Sequence, residues 1–353
     1  MEPRLFSRGL PKSSRVALVT VALVAVSMLV SPTAVSADGT VFSGEAYLAK
    51  ATLTPPLLPP VTIGPIADAT LPATGSSVEN SALTLSVPNP SDNSTLLSGE
   101  VGHVSSIGQG DRSRSEASLA SVDLNVAGHS VTAAFLMARA MARCGPSVTG
   151  SSELARLVID GSAINADTPP NYTISFPNDV GSVVINEQRS TVSGGYGKME
   201  VNAVHVIVNG LADVVIAHAE ADISCQGPPA CTGSDFVTGG GWIDLPSGAR
   251  GNFAVAGAWK NGSFWGHLLY IDHDNGMKVK GTGVTAYQFV NQTTRHIEGT
   301  DDVDGTPGTY GVDVADNYEP GRGADTFYLK LSNGYQAGRE LGGGNIQLHR
   351  PCQ

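Results

Sequence analysis

The chain has 353 residues, of which 41% are hydrophobic, 42 are glycine, 21 are proline and only 15% are charged. That apolar content excludes a wholly disordered chain, and the low charged fraction, against a typical ~25%, fits a turn-rich β protein. A net charge of −11 with no basic block argues against nucleic acid or anionic lipid as partners.

In chain order, Arg4, Arg8, Lys12 and Arg15 form a positive segment ahead of an apolar run at 16–30, broken only by Thr20 and Ser27. Val35-Ser36-Ala37 then fits the small-x-small cleavage rule, so residues 1–37 read as a secretion signal and Asp38 as the first mature residue. The run is shorter than the ~20 residues of a spanning helix. Loss of this segment removes four basic residues and one acidic one, taking the net charge from −11 to −14 over 316 residues. No later apolar run is long enough to span a membrane. The C-terminal residues 345–353 carry neither a hydrophobic tail nor a sortase-type motif, and no cysteine lies at the cleavage site. The expectation is a secreted, extracellular protein, released or held non-covalently.

The first module is expected over residues 38–230. Strands are read at Val41–Leu53, 81–87, 115–126, 172–176, 182–187, 198–208 and 214–225, where apolar and polar residues alternate or apolar residues crowd a short run. Residues 54–72, opening on Thr54-Pro55-Pro56-Leu57-Leu58-Pro59-Pro60, read as an extended, polyproline-like connection. The segment 131–144 fits both periods. Its Ala, Leu, Met and Arg content favours a helix, whereas period 2 places Val131, Ala133, Phe135 and Met137 on one face.

The second module is expected over residues 231–353, where Gly, Asp and aromatic residues become frequent. Strands are read at 235–238, 251–259, Ser263–Asp272, 277–290, 293–297, 308–315, 325–331 and 344–349. Turn signals separate them: Gly239-Gly240-Gly241, Asn261-Gly262, Asp274-Asn275-Gly276, Asp304-Gly305 and Asn333-Gly334. The predicted fold class is all-β, with two antiparallel β domains, a β-sandwich followed by a compact barrel or sandwich.

The four cysteines, Cys144, Cys225, Cys231 and Cys352, are even in number in an exported chain and so favour disulfides. Cys144–Cys225 with Cys231–Cys352 keeps each bridge within one module. The spacings lack the C-x-x-C pairs of a zinc site.

The chemical candidates are sparse. Asp272, Asp274, Asp301, Asp302, Asp304, Asp316, Glu319 and Asp325 are oxygen donors of the kind calcium takes, with Asp272, Asp274, Asp301 and Asp304 the metal-site candidates. The bland reading is that Asp and Asn build turns here. His267 and His273, with His296, are a second set of metal candidates. Trp242, Trp259, Trp265, Tyr270 and Tyr287 are candidates for a sugar-binding face, with Trp259, Trp265 and Tyr270 the ligand-binding candidates, or else for core packing. G-x-S-x-G and H-E-x-x-H motifs are absent.

Several stretches carry a family resemblance. In the first module they are Val41-Phe42-Ser43-Gly44-Glu45-Ala46-Tyr47, the Ala- and Arg-bearing segment ending at Cys144, Leu157-Val158-Ile159-Asp160-Gly161, Val183-Val184-Ile185-Asn186-Glu187-Gln188, Val201-Asn202-Ala203-Val204-His205-Val206 and residues 217–225. In the second they are Phe236-Val237-Thr238-Gly239-Gly240-Gly241-Trp242-Ile243, Gly251-Asn252-Phe253, Gly266-His267-Leu268-Leu269-Tyr270-Ile271-Asp272-His273, Asp316-Asn317-Tyr318-Glu319-Pro320-Gly321, Asp325-Thr326-Phe327 and Leu341-Gly342-Gly343-Gly344-Asn345-Ile346-Gln347. Residues about 40–225 resemble the choice-of-anchor P family of bacterial exported proteins. Residues about 235–349 are similar to the post-choice-of-anchor domain. The resemblance implies no known enzyme activity and no catalytic residues, tips 131–144 toward strand, and differs from the family pattern in the absence of a C-terminal anchor. The expected function is a non-catalytic, envelope-associated structural or binding protein for adhesion or display, with cell-wall glycan, extracellular glycan or protein as partner. The alternative is an extracellular carbohydrate-active or metal-dependent hydrolase. No cofactor is required by this reading, and calcium is the one candidate ion.

Overall fold

The computed structural model describes residues 39–56, 59–145, 147–225 and 234–350. The first module contains β1 (Val41–Leu53), β2 (Val61–Ile66), β3 (Ala69–Thr70), β4 (Ser76–Pro88), β5 (Thr95–Gln109), β6 (Arg112–Val126), β7 (His129–Arg143), β8 (Ser147–Ala155), β9 (Val158–Ile159), β10 (Ser162–Ala163), β11 (Tyr172–Ser175), β12 (Gly181–Ser193), β13 (Tyr196–Val208) and β14 (Ala212–Ser224). One sheet runs β11-β12-β13-β14-β1-β2, with β3 also on β1. The facing sheet runs β10-β9-β7-β6-β5-β4, with β8 also on β7. Every pairing is antiparallel. Leu48, Leu119, Leu136, Val204 and Ile216 fill the space between the sheets.

The second module contains β15 (Phe236–Asp244), β16 (Arg250–Lys260), β17 (Ser263–Asp272), β18 (Lys278–Phe289), β19 (Thr294–Val303), β20 (Thr306–Ala315), β21 (Thr326–Leu331) and β22 (Gln336–His349). The eight strands close into a barrel, with β22 pairing back onto β15. Closure removes both sheet edges. Phe253, Tyr270, Val279, Phe327 and Ile346 are among the side chains packed inside.

The all-β, antiparallel expectation holds, and the second module is a barrel. Segment 131–144 is strand β7, paired along its length with β6. Two expectations need correction. Residues 54–72 include β2 and β3 as well as connection. Pro65 is accommodated because β2 lies at a sheet edge, where a missing N–H breaks no ladder. Gly239-Gly240-Gly241 is not a turn but the middle of β15. A Cβ at Gly241 would come within 2.2 Å of the Gly343 carbonyl, and one at Gly240 within 2.7 Å of Ser118 Oγ. The glycines are there for close approach. Strand β5 carries too many serines and glycines to show an apolar period, yet it is central in its sheet.

A disulfide joins Cys144 to Cys225. Because β7 and β14 lie in opposite sheets, the bridge ties the two layers together beside Phe42, Leu71, Ala142 and Ile223. Cys231 and Cys352, and the cleavage segment through Ala37, lie outside the described residues.

Candidate functional site

The barrel packs on the outer face of the sheet containing β5, β6 and β7. Alternation sets the contact: on β5, Val104 points into the sandwich, while Val101, His103 and Ile107 point the other way. Three apolar patches form the seam. Ile107 packs with Phe236, Ala256, Ala258 and Trp265. Val101 packs with Ala254, Leu269 and Ile271. Ala120, Phe135 and Met137 pack around Trp242.

Polar groups lie between these patches, His103 fully buried and Glu79 and His267 partly so. Glu79 on β4, His103 on β5 and His267 on β17 place one donor atom each within 4.8 Å of the others. The His267 ring Nδ1 and Glu79 Oε1 are 2.9 Å apart, and the rings of His103 and His267 lie 5.6 Å apart. His103 is 0% exposed, and neither of its ring nitrogens has a hydrogen-bond partner. His267 Nε2 and Glu79 Oε2 are likewise buried without a partner. Buried polar atoms left unpaired each cost about 1–3 kcal/mol, and four of them lie together here. Burial, reinforced by His267, pushes the His103 imidazole down to about 4, keeping it neutral. Burial acts on Glu79 in the opposite direction, but the His267 ring, with His103 and Lys260, outweighs it and holds the carboxylate below its usual range. Lys260 closes the rim, its ammonium 4.1 Å from the Phe236 ring centre and 3.9 Å from that of Trp265.

Farther along the seam a second polar group organises the barrel. Asp325 is fully buried; it accepts N–H bonds from Asn317, Tyr318 and Ile346. Asp316 accepts from Leu348 N–H, Asn345 accepts from Gly321 N–H, and Glu319 accepts from Gln347. Glu153 of the sandwich accepts the Gly344 N–H. The 316–325 loop is thereby pinned onto β22. Apart from Glu153 and Leu348, these residues belong to the motifs that carry the resemblance, and their work here is structural.

The sequence-derived site residues fall in separate places. Asp272 is buried; its Oδ1 accepts the N–H groups of Asp274 and Asn275, and its Oδ2 accepts the Tyr335 hydroxyl. Asp302 accepts from Gly305 N–H and Asp304 from Lys278 N–H. Turn building already engages these oxygens. Asp301 is buried beside Gly308 and Tyr310, with neither oxygen hydrogen-bonded. Asp316, Glu319 and Asp325 belong to the loop at the other end of the barrel, so the acidic residues form no single cluster. His273 meets Asn252 and Glu100, while His296 sits between Asp313 and Glu298. His267 and His273 both reach across the seam, His267 to Glu79 and His273 to Glu100, but they meet different carboxylates, and the grouping of His267 with His273 and Asp272 does not form. Tyr270 is fully buried inside the barrel and Trp265 is buried in the seam, so neither offers a ligand-binding face. Trp242 is buried as well. Trp259 alone of the three tryptophans is exposed, at 47%.

Sequence reasoning missed Glu79 and His103. Neither stands in a recognisable motif, and they lie 188 and 164 positions from His267. No local signal marked them, because β4 is read only from residue 81 and β5 is too rich in serine and glycine to be read as a strand.

No family model matches the chain, and no curated protein or solved structure matches it.

Proposed function

We propose that this chain is an exported, non-catalytic binding protein of the choice-of-anchor P type, which presents the rim of its barrel to extracellular or cell-wall glycan. The observation that carries this reading is the exposed aromatic rim. Trp259 and Phe264 face each other across the β16–β17 hairpin, with ring centres 4.6 Å apart. Phe289, 64% exposed, ends β18 at the same end of the barrel, with the Arg295 guanidinium over its ring. Large aromatics at a hairpin tip are costly to expose and offer flat surfaces on which sugar rings stack. Beneath the Phe289 ring, Arg295 is buried and paired with Asp235.

A glycan array and a cell-wall pull-down with residues 38–353 test the reading. Binding is expected, and W259A with F264A is expected to weaken it by at least about tenfold, in line with the loss of a stacking contact. Binding that survives both substitutions, or no binding to any glycan or wall fraction, overturns it.

A further inference from the structure

We propose that Glu79, His103 and His267 form a binding site for a divalent first-row transition ion, best matched by Zn²⁺, which clamps the barrel to the sandwich. The geometry comes first. Two ligands come from adjacent strands of the sandwich and the third from β17 of the barrel, so no single module contains the site. One donor of each lies within 4.8 Å of the others, and small side-chain movements would bring them to the ~2.0–2.2 Å bonds of a Zn²⁺ centre.

The donor chemistry selects the ion. Two imidazoles and one carboxylate suit zinc and its neighbours, whereas calcium takes six to eight oxygens. The site also offers what an ion pair alone would leave unused. Glu79 and His267 already pair through Oε1 and Nδ1, yet Glu79 Oε2, His267 Nε2 and both nitrogens of His103 remain buried without partners. A bound cation would engage a donor of each of the three residues at once. Three protein ligands leave a fourth tetrahedral position for water. The surroundings fit a structural clamp. Ile107, Phe236 and Trp265 wall off the seam, and the Lys260 ammonium is drawn onto the Phe236 and Trp265 rings.

The test uses the mature chain, residues 38–353, stripped with chelator and titrated with Zn²⁺ and separately with Co²⁺. One ion per chain is expected by elemental analysis, with a visible Co²⁺ absorption band of a tetrahedral or five-coordinate nitrogen–oxygen site and a rise in Tm of several degrees on adding Zn²⁺. H267Q and E79Q, each shown to be folded by circular dichroism, are expected to weaken Zn²⁺ binding about 100-fold or more and to lose the Tm rise. H296Q, which removes a histidine of the barrel exterior, is expected to change neither. Absence of stoichiometric binding in the unsubstituted chain overturns the proposal. So does binding that H267Q and E79Q leave intact. Glycan binding is read independently at the barrel rim.

Discussion

Glu116 illustrates how a single buried side chain sets the pH response of the molecule. It projects from β6 into the seam and faces Arg139, Arg114, Glu319 and Asn345. Burial, aided by Glu319 and opposed by both arginines, pushes its carboxyl up to about 8. Between the ordinary value of 4.5 and about 8, the folded chain therefore holds a proton that the unfolded chain has released. The native state binds more protons in that window, so this group makes stability fall as pH rises through it. E116Q keeps the shape and removes the titration. Its stability relative to the unsubstituted chain is expected to increase from pH 5 to pH 8, by on the order of a few kcal/mol at most, as measured by denaturant unfolding at both pH values. Parallel curves would show that the seam hydrates this carboxyl. Asp325, raised by burial to about 6, has the same sign over a narrower window. Neither residue was distinguishable in the sequence from a turn-building or surface acid, because burial in a seam between modules leaves no local pattern.

At the scale of elements, the sandwich strands share one device. Within β13, Val201, Ala203, Val204, Val206 and Val208 all belong to the core, so strict alternation breaks between 203 and 204. The same break occurs in β1 at 48 and 49 and in β14 at 216 and 217. Ala217 and Asn186, in neighbouring parts of this sheet, have φ of 54° and 52°. In the facing sheet Val101 and Ser121 have φ of 44° and 51°. The kink at Ala217 lies at the β14 break and opposite the breaks of β1 and β13, and such kinks return the following apolar residues to the core, as bulges do. The same break explains why neither period prevailed over 131–144: Val131 and Ala133 face the core, whereas Phe135 and Met137 face the barrel. Hairpins were easier to read. Asn261-Gly262 and Asp304-Gly305 both adopt positive φ, as two-residue turns require. The β6–β7 hairpin uses Ala127-Gly128, with Ala127 at φ 49° and exposed. Alanine pays about 1–2 kcal/mol for that conformation, whereas Asn tolerates it. A127N is expected to stabilise the chain by about 1 kcal/mol; a lower unfolding midpoint in denaturant would contradict this turn geometry.

At the scale of the whole molecule, two connections among the described residues hold the layers together. The Cys144–Cys225 bridge spans 81 positions and joins the two sandwich sheets. In the chain-entropy account a loop of that length contributes about 4.5 kcal/mol. C144S with C225S is expected to lower unfolding stability by up to that amount in oxidising buffer, and added reductant is expected to have the same effect on the unsubstituted chain and little on the double variant. The other connection is the seam, where the barrel covers a sheet face that would otherwise meet solvent. It makes both faces of β5, β6 and β7 interior, which is why so many small residues occur there.

By itself the sequence determined the all-β class, the expectation of disulfides, most hairpin turns of the second module and the positions of most strands. These features depend on local alternation, on the backbone freedom of Asn-Gly and Asp-Gly, and on an even cysteine count. Only the tertiary structure decided that Cys144 pairs with Cys225, that the second module closes, that Gly239-Gly240-Gly241 lies within a strand, and that Glu79 and His103 meet His267. The physical reason is separation along the chain: sheet pairing and module packing bring together residues whose neighbours in sequence say nothing about each other.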